Sequence, residues 1–255
     1  MVATLFGAST AFAVGFTDSF GGPGINPGWI TDRYEPAGFS SVGGRLEIDI
    51  SDADSAANRP AGYSSIFYNT QGRQREALVS GLWTLSGEIE VGSDVTGNNL
   101  RRADLWGRTG AVGTETDAEY FILGYRNFDP LDPFNSSSAS IGSAWRVWDG
   151  DTVNGWVDIG TSVTAGWHDV SISYTGSSIL YQLDGVPVYT DTTLGTLTAD
   201  FTTAYAQAYN FDAGDYTARF DNINVSVPEA GATSPLLATG LGFIGLLGFF
   251  KNRRE

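Results

Sequence analysis

The chain has 255 residues, with 14 Lys and Arg set against 29 Asp and Glu, a formal net charge of -15. That imbalance excludes a nucleic-acid partner, because phosphate binding needs clustered cations. The absence of Cys excludes disulfides, thiol chemistry and Cys-ligated metal, and a single His, His168, argues against a multi-His metal centre or a serine-type triad.

Residues 1–13, MVATLFGASTAFA, are small and apolar and end on Ala11-Phe12-Ala13, the small-x-small pattern of a secretory cleavage site. They read as the remnant of an export signal lacking its basic start; an ordinary N-terminal strand is the alternative. From 14 to 227, short alternating runs separated by Gly, Asn, Asp, Ser and Pro predict one all-β domain, a sandwich, with no convincing helical periodicity. In VGFTDSF, Phe16, Asp18 and Phe20 share one strand face. RLEIDI sets Leu46, Ile48 and Ile50 against Arg45, Glu47 and Asp49.

Trp106 alternates with Asp104 and Arg108, which puts it on a polar strand face. Trp148 shares a face with Arg146, and Trp156 with Asp158; Tyr125, Arg126 and Asn127 are secondary candidates. Sugars present apolar C–H faces ringed by hydroxyls, so indole faces beside carboxylates and guanidinium groups suit them. The competing reading is that these rings cover sheet edges or fill the core. Glu115, Asp117 and Glu119 have an E-x-D-x-E spacing that puts three carboxylates on one face of a strand, and a retaining glycosidase needs two carboxyl groups about 5–5.5 Å apart. The same residues also read as a solvated acidic loop ahead of the strand YFILGYRN. DPLDPFNSSSAS (129–140) is the longest irregular stretch and reads as a surface loop.

Further on, WHDVSISYT groups Val170, Ile172 and Tyr174, and SILYQLD groups Ile179, Tyr181 and Leu183. Thr175-Gly176-Ser177-Ser178 and Asp184-Gly185 read as hairpin turns, and His168 at the strand start as structural. In RFDNINVSV, Asp221 alternates in phase with Ile223, Val225 and Val227. A carboxylate facing the core is costly unless paired or metal-bound. Asp18 and Asp221 are therefore expected to converge on a structural Ca²⁺ if the first and last strands are neighbours. Turn capping, or pairing with an Arg such as Arg219, is the alternative.

The segment GWHDVSISYTGSSILYQLDGVPVY resembles the Trp-His-x-Val … Asp-Gly hairpin of laminin-G and concanavalin-like jelly rolls, and FTDSFGG and ARFDNINVSV are similar to their first and last strands. The resemblance implies a concanavalin-like jelly-roll β-sandwich, a fold that hosts lectins, glycosidases and adhesion modules, with a structural calcium near the termini in similar carbohydrate-binding members. The E-x-D-x-E run resembles the catalytic strand of family-16 β-glucanases, departing from it at Thr116 and Ala118, where that family favours larger apolar residues.

The tail, 228–255, holds a nearly continuous apolar stretch at 235–250 followed by Lys251-Asn252-Arg253-Arg254. It is long enough for a membrane-spanning hydrophobic helix with its cations on the cytoplasmic side. Val227-Pro228-Glu229, a small-residue spacer, the apolar run and the Arg-rich end resemble the PEP-CTERM class of bacterial sorting signals, with Ala230 where the commonest form has a second Pro. That resemblance implies processing by an exosortase-type protease in a Gram-negative bacterium that makes exopolysaccharide. The protein would be tethered to the inner membrane before processing and reach the cell surface or matrix after it. The expected function is an exported, non-catalytic sandwich that binds carbohydrate or exopolysaccharide. A family-16-like glycoside hydrolase and a structural or adhesive matrix protein are the alternatives.

Overall fold

In the computed structural model the described residues are 15–54, 58–64, 68–93, 101–110, 118–127, 143–152, 155–196, 198–212 and 214–227. The signal-like segment 1–13, Glu115, Asp117, the loop 129–140, Pro228, Glu229 and the apolar tail lie outside them. No helix of the described residues is long and apolar enough to cross a membrane.

Fifteen strands lie among the described residues. They are β1 (Phe16–Asp18), β2 (Ile30–Thr31), β3 (Gly38–Val42), β4 (Arg45–Ile50), β5 (Thr70–Ser80), β6 (Trp83–Val91), β7 (Arg102–Thr109) and β8 (Glu119–Arg126) in the first half. The second half holds β9 (Ala144–Trp148), β10 (Trp156–Asp158), β11 (Gly166–Tyr174), β12 (Ile179–Leu183), β13 (Val186–Asp191), β14 (Asp200–Tyr209) and β15 (Tyr216–Ser226). One sheet runs β13-β12-β11-β6-β15-β4-β3, with β1 added alongside β15; the other runs β10-β9-β8-β7-β14-β5-β2. All ladders between these strands are antiparallel, and many neighbours are distant in sequence, which makes the domain a jelly-roll sandwich.

The core lies between the sheets, around Trp83, Leu85, Leu123, Trp145, Phe201 and Phe220. Trp83 donates its Nε1 hydrogen to Thr198 O (2.8 Å), so this indole is buried with its donor satisfied. The predicted faces of β4 and β12 are the buried ones, as are Val170 and Ile172 of β11. Asp184 and Gly185 have φ of 51° and 74°, the paired positive angles of a two-residue type I′ turn, and they join β12 to β13. His168 is structural, as expected. Its Nδ1 lies 2.9 Å from Asp184 Oδ2 and its Nε2 2.9 Å from Thr164 O, with the ring edge-on to Trp145.

The first and last strands are neighbours: Phe16 pairs with Val225 and Asp18 with Ile223. The two expected calcium ligands have protein partners in this structure. Asp18 Oδ2 accepts hydrogen bonds from Arg75 Nη1 (2.8 Å) and Trp29 Nε1 (3.0 Å), and Oδ1 accepts from the Phe20 amide, the arginine pairing and turn capping that the sequence offers as the alternative. The ladder between β15 and β6 shifts register between Asp221 and Asn224, and Asn222 sits at φ 49°. This bulge reverses the phase of the strand. Phe220 and Ile223 both face the core, whereas Asp221 turns outward and accepts from the Asn222 amide (2.7 Å). Val227 is also exposed.

Candidate functional site

The outward face of the seven-stranded sheet collects most of the predicted ligand residues. Opposed residues run straight across β14, β7, β8, β9 and β10: Tyr205, Trp106, Ile122, Trp148 and Trp156 form one row. Gln207, Asp104, Gly124, Arg146 and Asp158 form the next. The three predicted Trp residues therefore do share one face. Most of that face is buried, however, and its rings are already engaged.

Arg33 stacks 4.9 Å from the Trp106 ring centroid, and Arg146 and Arg102 lie 3.8 and 4.7 Å from that of Trp156. Arg102 pairs with Asp104, and Arg126 Nη2 with Asp158 Oδ2 at 3.1 Å. Gln207 Nε2 donates to Asp32 Oδ2 (2.6 Å), which ties the segment before β3 onto the sheet. Trp106, Arg108 and Arg146 are thus parts of a closed aromatic and guanidinium layer, not of an open binding surface, and cation–π stacking occupies the ring faces a sugar would need. Tyr125 lies on the opposite side of β8, in the main core, edge-on to Trp145.

The aromatic row opens at Trp148. There a cleft of about 410 Å³ is lined by Tyr120, Phe121 and Trp148 together with Glu119, Asp151 and Asp191. Its volume falls in the range of small-molecule sites, about 300–1,000 Å³. It sits at the seam between the sheets, where Tyr181 Oη donates to Trp148 O (3.0 Å) and Tyr189 Oη donates to Asp149 Oδ2 (2.6 Å). Gly155 (φ 71°) lies so close to the Trp148 ring that any side chain there would collide with it. Trp156 meets the Trp148 ring edge-on at 5.2 Å. The indole is therefore held in one orientation before any ligand arrives.

Acidity dominates the polar half of the cleft. Asp149, Asp151 and Asp191 have carboxylate oxygens all within 4.8 Å of one another, the arrangement among the described residues that could share a hard cation. Asp149 Oδ1 accepts from the Asp151 amide, and Asp191 Oδ1 from the Thr193 amide (2.7 Å). Burial raises the Asp191 carboxyl above the ordinary value, and the nearby Asp149 charge adds to this against the Thr193 hydrogen bonds. The hydrogen bond to Asp149, together with burial, pushes the Tyr189 hydroxyl up to about 12. Glu119 Oε2 accepts from Thr198 Oγ1 (2.7 Å), and its other oxygen lies against Gly195. Of the three carboxylates in the E-x-D-x-E run, Glu119 is the one among the described residues, and it lines this cleft.

Sequence reasoning found Trp148 and Glu119 but missed Tyr120, Asp149, Asp151 and Asp191. The Asp149-Gly150-Asp151 turn between two Trp-bearing runs was a usable local signal. Asp191 had none, because it reaches the site only through the meeting of the two sheet edges.

The chain matches no protein-family profile and no curated protein. Solved structures do match it. An alginate lyase mutant in complex with alginate trisaccharide is 9% identical, with a TM-score of 0.55, covering 86% of this chain and 100% of that one. A non-specific endo-beta-1,3(4)-glucanase from family GH16 is 11% identical, with a TM-score of 0.54, covering 83% and 89%. A glycosyl hydrolase family 16 protein from Mycobacterium smegmatis is 14% identical, with a TM-score of 0.51, covering 83% and 99%. A sialidase also matches at a TM-score of 0.54, but this chain spans only 19% of its length. At these identities the likeness establishes the all-β, two-sheet jelly-roll fold and leaves activity to the site itself.

Proposed function

We propose that this protein is a non-catalytic carbohydrate-binding β-sandwich whose ligand seats in the cleft at Trp148. The observation that carries the reading is the joint presence of a fixed indole, a second aromatic wall at Tyr120 and the carboxylates Glu119, Asp151 and Asp191 in one cleft of sugar-accommodating size. Stacking on the indole supplies affinity, and carboxylate acceptors for hydroxyl groups supply orientation. The proposed context is export, with sorting through Val227-Pro228-Glu229 and the tail to 255, processing by an exosortase-type protease and display among exopolysaccharide at the cell surface. Affinity electrophoresis of the full chain through gels containing polysaccharide tests the binding claim. Retardation that Trp148→Ala weakens at least tenfold is the expected result. No retardation by any glycan would leave the structural, adhesive reading in its place.

A second reading, a family-16-like glycoside hydrolase, is favoured by one observation: Glu119 lines the same cleft as two other carboxylates. Reducing-sugar release from β-glucan that Glu119→Gln abolishes would replace the binding-module reading with this one.

A further inference from the structure

We infer that the Trp148 cleft is selective for glycans bearing free amino groups, a polymer or oligomer of deacetylated amino sugar, over neutral and acidic glycans. The inference rests on the carbohydrate-binding reading and adds the charge of the ligand to it.

Three features of the molecule point the same way. The first is the wall itself. Glu119, Asp151 and Asp191 line the cleft with Asp149 directly behind them, and no Arg or Lys is among the described residues that line it. Asp151 is exposed, and neither of its carboxylate oxygens has a hydrogen-bond partner among the described residues. Asp191, in contrast, is only 5% exposed and still faces the cleft. Clustered carboxylates repel one another, and a cation placed between them relieves that repulsion.

The second feature is where the positive charge has gone. The guanidinium groups of Arg33, Arg102, Arg126 and Arg146 belong to the aromatic layer that runs up to Trp148. They are turned into the adjoining sheet face, stacked on Trp106 and Trp156 or paired with Asp104 and Asp158. A uronate or sulfate entering the cleft therefore meets carboxylates, with no cationic side chain among the described residues that line it. The third is the field of the whole chain, whose net charge of -15 raises the local concentration of cationic ligands and lowers that of anionic ones.

Trp148 explains why the cation should be a sugar and not a bare metal. An ammonium group carried on a pyranose places its charge among the carboxylates while the C–H face of the ring rests on the indole.

Titration calorimetry of the full chain at about pH 5.5, where carboxylates are largely ionised, tests this with three hexamers: glucosamine, N-acetylglucosamine and galacturonate. The glucosamine hexamer is expected to bind at least tenfold more tightly than its acetylated counterpart at low salt. That advantage should shrink severalfold in about 0.5 M salt, where the Debye length is only a few ångströms. Asp151→Asn, at an exposed position, should cut the advantage, weakening the glucosamine hexamer severalfold more than its acetylated counterpart. Trp148→Ala should weaken both. Equal affinity for the two amino-sugar hexamers, or tighter binding of galacturonate, would overturn the charge selectivity and leave carbohydrate binding standing. Binding that requires added Ca²⁺ and is lost in EDTA would also overturn it, because the carboxylates would then be metal ligands. Failure of all three hexamers and of the polysaccharide gels would overturn both readings together.

Discussion

The two sheets turn very different faces outward. On the eight-stranded sheet, β6 presents Thr84, Ser86, Glu88 and Glu90 to solvent, each half-exposed, while its alternate residues are buried. On the seven-stranded sheet, all eight residues of β7 are buried, so Arg102, Asp104, Trp106 and Arg108 lie out of water although they point away from the core. Both strands read as period-two sequences. The contrast teaches that alternation shows which residues share a face and leaves open whether the polar face is wet. A polar face out of water must find partners for its charges within the protein, and this one does so in part with ion pairs and guanidinium–indole stacking, while Asp104 Oδ1, Trp106 Nε1 and Gln207 Oε1 have no hydrogen-bond partner among the described residues.

The most direct way to break the contrast is to truncate one residue from each outward face. Trp106→Ala should cost about 3–5 kcal/mol in urea unfolding, the scale of a buried large-to-small change. Ser86→Ala on the other sheet should stay within about 0.5 kcal/mol. Equal losses would mean that the Trp106 face is solvated after all.

A second comparison uses glycine. A methyl group at Gly124 would collide with the Asp104 carboxylate and with the Ala103 carbonyl and Asp104 Cα of β7. Backbone atoms cannot step aside, so Gly124→Ala should cost about 1–3 kcal/mol. At Gly38, on the eight-stranded sheet, the obstacle is the Asp49 side chain alone. Gly38→Ala should therefore cost less than Gly124→Ala, and the reverse order would break the distinction.

Electrostatics gives two smaller effects. On the wet face, burial pushes the Glu47 carboxyl up, but hydrogen bonds and charge from Arg219 and Arg45 outweigh this and hold it below the ordinary value of 4.5. A depressed carboxyl contributes stability above its unfolded value and loses it as pH falls through the folded one. Arg219→Ala should cost up to about 1 kcal/mol at neutral pH, with the difference fading below pH 4.5. A loss that is constant with pH would show that Arg219 acts by packing.

At the cleft the sign reverses. The Asp191 carboxyl is raised above 3.8, so the folded state holds its proton more tightly than the unfolded chain, and its ionisation lowers stability as pH rises through that window. Asp191→Asn should remove this slope. Its melting temperature relative to the parent should climb as pH rises above 3.8 and then level off. A variant that is destabilised equally at every pH would assign Asp191 a purely structural part.

Much of the eight-stranded sheet was legible in the sequence. The clearest runs, RLEIDI, WHDVSISYT and SILYQLD, are β4, β11 and β12, all in that sheet. One side of them packs on the core and the other is wet or partly so, which is the condition that makes alternation informative. The seven-stranded sheet was harder to read because its outward face is buried by polar and aromatic residues, which looks the same in sequence as an exposed binding surface. For that reason Trp106, Arg108 and Arg146 read as ligand residues in the sequence although they are buried in the structure. Asp221 was misplaced by a single bulge, since one extra residue at Asn222 inverts the phase of everything after it. The site was only partly legible because its parts are far apart in the chain. Asp149 and Asp151 follow β9, whereas Asp191 ends β13 in the other sheet.

The position of β15 has a mechanical consequence. This strand lies inside its sheet, bonded along one side to β6 and along the other first to β4 and then to β1. Any pull transmitted through the residues after Ser226 therefore enters a strand held on both flanks. It loads the rungs of those ladders together, in shear, where an edge strand could be peeled away one hydrogen bond at a time. The ladder arrangement thus favours resistance to tension applied from the C-terminal side of the domain.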